Sequence, residues 1–171
     1  MYPGVVRDSS NMHVGLLILA SAATQPCTIE HAHYALRTQP SVTATFIDRE
    51  TGRDWPSSVV MRLHIGVSGR TYWWVPWNGG TNGRQNLAST TDASVQGWRP
   101  PNPDDGPRPV GDVEFIATNA DYELWDHVPA RGGPAPAHFL IPDLREALWY
   151  RTPVDARDGT ARQFFDLVAC R

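Results

Sequence analysis

Apolar and polar positions alternate with a period of two through most of this chain, the pattern of half-buried β-strands rather than of helices. Residues 41–47 set Val42, Ala44 and Phe46 against Thr43 and Thr45. A polar turn over 48–53 follows, with Gly52 free to take a positive φ. Residues 58–67 then place Val59, Met61, Leu63, Ile65 and Val67 on one face, and Val60, Arg62, His64 and Gly66 on the other. Upstream, residues 29–36 alternate more weakly and Pro40 punctuates them.

The run from Arg70 to Trp77 departs from this pattern because both of its faces are aromatic. Successive strand side chains point to opposite sides, so Trp73, Val75 and Trp77 share one face while Tyr72 and Trp74 share the other. A two-residue turn at Ser68-Gly69 pairs Val67 with Arg70, Leu63 with Trp74 and His64 with Trp73. In that register Tyr72 and Trp74 extend the aliphatic core face. Trp73 and Trp77 then stand beside Arg62 and His64 on a mixed face. A turn of odd length would exchange the two faces.

Beyond Trp77, residues 78–112 read as a long irregular loop, loosened by Gly79, Gly80, Gly83 and Gly97 and stiffened by five prolines from Pro100 to Pro109. Loops of this length are uncommon in compact domains and often bind or cover a ligand. A hairpin is expected from 113–118 and 122–127 across 119–121, and a Gly/Pro segment at 131–136 separates it from the last unit. Pro142, Asp143, Leu144 and Leu148 predict a short helix reaching toward Tyr150. Asp158-Gly159 marks a turn, and residues 163–170 form the closing strand. The expectation is a mainly β fold: an antiparallel β-sandwich or a partly open barrel with one short C-terminal helix.

Locally, residues 42–46 followed by Asp48-Arg49-Glu50-Thr51-Gly52 resemble the strand-turn unit of bacterial immunoglobulin-like and transthyretin-like domains. The resemblance covers about a tenth of the chain. It implies a sandwich and carries no activity.

Composition narrows the function classes. At 171 residues the chain fits one domain, and its seven Trp and 41% apolar residues indicate a folded core. A formal charge of −3 leaves no electrostatic footprint for nucleic acid. All 15 basic residues are Arg, which excludes a Lys Schiff base and a P-loop Lys. Residues 14–20 form a short apolar run ending in Ala20-Ser21-Ala22, so residues 1–23 read as a signal peptide, with Met1 or Met12 as the start. That run is too short to be a transmembrane segment. Residues 24–171 then form a single β-rich domain, periplasmic or secreted. In that setting Cys27 and Cys170, one near each end, are expected to form a disulfide.

No catalytic set is diagnostic, and no cofactor motif is present. His31-x-His33 on a strand would put two imidazoles on one face, with His64 as a third metal ligand and Asp48 or Glu30 in reserve; a metal-dependent enzyme is the alternative this supports. Ser68 stops short of a nucleophile elbow and reads as a turn residue, while His127 or His138 with Asp126 lacks triad spacing. Asp104-Asp105 is turn chemistry, and Glu114 with Glu123 is an ordinary cross-strand pair. The expected function is ligand binding, of a small molecule or glycan, on the mixed face. Trp73, Trp77, Arg62, His64, Asn78, Asn82 and Arg84 are its candidate contacts. A purely structural or interaction domain is the remaining alternative.

Overall fold

A computed structural model describes Met1, residues 27–79 and residues 84–171. Apart from Met1, the segment read as a signal peptide lies outside the described residues, as does the candidate Asn82.

Among the described residues nine strands form one antiparallel sheet: β1 (Ala32–Leu36), β2 (Gln39–Asp48), β3 (Val59–Ile65), β4 (Arg70–Trp77), β5 (Asn86–Thr90), β6 (Asp112–Glu114), β7 (Ile116–Thr118), β8 (His138–Leu140) and β9 (Phe165–Cys170). Their spatial order is β6-β5-β4-β3-β2-β1-β9-β8-β7. The two ends of that order, β6 and β7, are neighbours in the chain, separated only by Phe115. One extended segment therefore pairs with β5 through its first half and with β8 through its second. Phe115 bridges the interruption by donating its backbone N–H to the Gln85 carbonyl at 2.9 Å. The sheet is a nearly closed up-and-down barrel, the barrel rather than the sandwich of the two expected forms, and near-closure leaves little of the exposed edge that an open sheet must protect.

The interior follows from the period-two patterns. Tyr34, Phe46, Met61, Leu63, Trp74, Leu87, Phe115, Phe139 and Phe165 all point inward and are buried. Barrels of about eight strands have an interior just wide enough for side chains to fill. Here aromatic rings occupy its middle: Phe139 stacks on Phe165 at 4.7 Å and meets Tyr34 edge-on at 4.8 Å. Helix α1 (Leu144–Tyr150) adds Leu144, Ala147 and Leu148 to the same core, using their i, i+3, i+4 spacing.

Cys27 and Cys170 are disulfide-bonded, with Cα atoms 5.8 Å apart. The bond ties the chain just before β1 to the end of β9, the strand with which β1 pairs. Backbone bonding reinforces it, since Arg171 N–H donates to the His31 carbonyl at 2.9 Å.

Three local expectations change. The β3–β4 connection uses four residues, Gly66 to Gly69, so Ile65 pairs with Arg70 and Met61 with Trp74. The Gly69 N–H closes this loop on the Ile65 carbonyl at 2.8 Å, with Gly69 at φ 73°. Residues 86–90, expected to be loop, form β5. Residues 122–127 do not form a strand; an Asx turn at Asn119 takes the chain into a single bridge between Thr118 and Leu124.

Candidate functional site

The outer face of β2–β5 changes character along its length. Two-residue parity puts Trp73, Val75 and Trp77 outside, where a second apolar layer covers them. Trp55, Val60, Val75, Ala88 and Ala93 are fully buried in that layer, with Trp98 packed against it. Trp55 lies 5.2 Å from the Trp77 ring and donates its indole N–H to the Pro101 carbonyl at 2.8 Å. Arg108 stacks over the Trp55 ring at 5.2 Å. The same guanidinium gathers the carbonyls of Asn102, Pro103, Gly106 and Pro107, so the Pro-rich segment folds around one side chain.

At the opposite end the face is open. Cross-strand pairing lines up Thr45, Arg62, Trp73 and Thr90 on β2, β3, β4 and β5. A groove of about 680 Å³ opens over the Arg62–Trp73 part of this row, lined among others by Arg62, Thr71, Trp73, Asp92 and Ser94. A second groove of about 570 Å³ adjoins it and shares Thr71, Trp73 and Asp92.

Arg62 is exposed and forms no ion pair with a described residue. Arg49, by contrast, is a strut: its Nε–H donates to the Ala93 carbonyl at 2.6 Å and holds the groove wall to β2. Asp92 Oδ1 accepts from the Ser94 hydroxyl at 2.6 Å and the Ser94 backbone N–H at 2.8 Å. These bonds hold the Asp92 carboxyl below its usual range, so it stays an acceptor. Trp73 is only 7% exposed, so it offers the groove little of its ring.

The structure divides the candidate binding residues. Arg62 and Trp73 meet in the first groove. His64 stands in the next row, its ring nitrogen 3.2 Å from Thr71 Oγ1, and reaches the groove only through that hydroxyl. Trp77 belongs to the covered layer, while Asn78 and Arg84 are exposed at the far end of β4 and before β5. The groove residues missed from sequence are Thr71, Thr90, Asp92 and Ser94. The Asp92-x-Ser94 spacing is an Asx-turn signal that would have marked the wall.

The metal candidates do not share a strand. His31 lies in a 3-10 turn (Ile29–His31), where its Nδ1 bonds the Arg171 carbonyl at 2.8 Å. His33 is on β1 and His64 on β3, with β2 between them. Among the described residues no group of three or more His, Cys, Asp or Glu side chains is placed to hold a metal ion.

Of the candidate bases, His127 stacks on Trp125 at 4.8 Å. His138 pairs not with Asp126 but with Asp166, its Nδ1 at 2.7 Å. Arg37 grips the same carboxylate through two nitrogens at 2.8 and 2.7 Å and donates to the Tyr122 hydroxyl. Tyr122, at φ 63°, stacks flat on His138 at 4.5 Å. This network anchors the 119–125 segment to the barrel. Ser68 is a turn residue, as its hydroxyl accepts from the Arg70 N–H at 3.3 Å.

These features define a class: a disulfide-clasped antiparallel barrel with a filled interior and an open polar groove on its outer wall. No protein-family model matches the chain, and neither a curated protein nor a solved structure resembles it significantly.

Proposed function

We propose that this protein is an exported binding module that takes a hydroxyl-rich ligand of the glycan class in the groove beside Arg62. The observation that carries the reading is Arg62 itself. An exposed guanidinium with no ion-pair partner among the described residues, carried on a sheet in register with Thr45 and Trp73, offers a hydrogen-bonding fork to a ligand. Asp92 faces it as a fixed acceptor, which suits ligands offering both donors and acceptors.

Export is supported by the Cys27–Cys170 disulfide, because such bonds persist in oxidising compartments. No helix among the described residues is long and apolar enough to cross a membrane.

The test is titration of the purified protein against a glycan panel, read by tryptophan emission and calorimetry, beside Arg62→Ala. Binding by the wild type and a loss of about tenfold or more in the variant support the site. No response to any glycan, or an unchanged Arg62→Ala affinity, overturns it.

A further inference from the structure

We infer that the ligand is a neutral oligosaccharide lying across the strands through both grooves, with Trp73 as the saddle between them, rather than a single sugar. The inference rests on the groove being the ligand site. Its first support is register. Arg62 lines the first groove, Thr90 lines the second, and both pair directly with Trp73. Strands are spaced by about 4.8 Å, so the row from Arg62 to Thr90 spans about 10 Å, more than one sugar ring covers. Each groove separately exceeds the roughly 300 Å³ lower bound of small-molecule sites.

The second support is the chemistry of the row. Arg62 is donor-only, and Asp92 is acceptor-only because Ser94 keeps it ionised. Arg49 and Arg62 offset Glu30 and Asp92 in the first groove, and Arg131 pairs with Asp48, a balance that favours an uncharged ligand over an anion or a cation. Thr90 Oγ1 accepts the Trp98 indole N–H at 3.2 Å, which leaves its own O–H free to donate into the second groove. The two grooves together offer both donors and acceptors, which suits a chain of hydroxyls.

The third support is what the grooves lack. With Trp73 only 7% exposed, little of its ring is available for broad stacking on one sugar. Each unit therefore gains little, and affinity accumulates only when units in adjoining subsites bind together.

The experiment is calorimetric titration with cello-, chito- and malto-oligosaccharides from monosaccharide to hexasaccharide. It is run on the wild type, Arg62→Ala and Thr91→Trp, with circular dichroism confirming the fold of each variant. Thr91 is exposed on the second groove only, so a Trp there fills it without touching Arg62. The expected result is that one series gains about tenfold or more in affinity with chain length. Thr91→Trp then flattens the gain while leaving the shortest binding oligomer unchanged. A monosaccharide bound as tightly as the hexasaccharide overturns this inference and leaves the binding function standing. Thr91→Trp weakening all lengths equally does the same. No binding by any saccharide overturns both.

Discussion

Replacing Trp55 with Ala removes the keystone of the cover over the outer aromatic face. Trp55 is 1% exposed, and its ring is the common contact of Trp77, Arg108 and the Pro101 carbonyl. Burial of about 200 Å² of aromatic surface at about 25 cal/mol per Å² amounts to about 5 kcal/mol, an upper value. Trp-to-Ala substitutions in cores cost about 3–5 kcal/mol. The stacked Arg108 adds about 1 kcal/mol. An expected loss of about 4 kcal/mol follows, and it should fall unevenly. The barrel interior forms a separate cluster that does not contain Trp55. The covering segment is therefore expected to open before the barrel unfolds. Urea unfolding followed by far-ultraviolet dichroism gives the global loss, and hydrogen exchange at the Gly106 and Val110 amides reports the cover. Trypsin is uninformative here, because Arg99 and Arg108 both precede proline. Acrylamide quenching of tryptophan should rise as Trp73 and Trp77 are uncovered. A stability loss under about 1 kcal/mol, with Gly106 and Val110 as protected as in the wild type, would refute the keystone argument.

Three further outcomes test other parts of the fold. Cys27→Ser with Cys170→Ser opens a crosslink between residues 143 apart, for which the chain-closure model gives about 5 kcal/mol; a change in urea midpoint equivalent to less than about 1 kcal/mol would show the clasp to be redundant with β1–β9 pairing. Gly66→Ala puts a Cβ 2.7 Å from the Ser41 carbonyl oxygen, backbone that must move, and is expected to cost about 1–3 kcal/mol in thermal unfolding; an unchanged Tm contradicts the close packing of the β3–β4 loop on β2. Arg37 foremost, then His138, holds the Asp166 carboxyl below its usual range, so its contribution is present above a pH of about 4 and is lost as pH falls through the lowered value. Asp166→Asn should thus weaken the protein near neutrality and flatten its acid limb, and an acid limb identical to the wild type's would show that Asp166 does not set it.

The strand faces were legible because a period of two is a local property of the chain. Val42, Ala44 and Phe46, then Met61, Leu63 and Ile65, point inward as their alternation requires. Barrel closure was not legible. It depends on one segment, interrupted at Phe115, pairing on both sides, and neither half exceeds three residues. Strand β5 was hidden for a related reason: Asn86–Thr90 carries a single large apolar side chain, Leu87, and Gly-rich and Pro-rich stretches flank it. The cover over Trp77 escaped notice because its organiser, Arg108, works through backbone carbonyls, which leave no periodic trace.

The β3–β4 register shows how a small misreading alters the chemistry of the groove. The expected and observed pairings differ by two residues, so every side chain keeps its face and Trp73 stays outside. Its cross-strand neighbour changes, however, from His64 to Arg62. A histidine there would make recognition switch across physiological pH, whereas a guanidinium keeps its charge throughout. The charged groups lining the first groove are Glu30, Asp48, Arg49, Arg62 and Asp92, and Glu30 and Asp92 are both held below the usual carboxylate range. Affinity in the groove is therefore expected to stay constant within about twofold from about pH 5.5 to pH 8. A binding curve that falls through the histidine range would give the contact to a histidine, His64 by way of Thr71, His33 beside Thr45 or His31 beside Glu30, and remove Arg62 from the centre of the site.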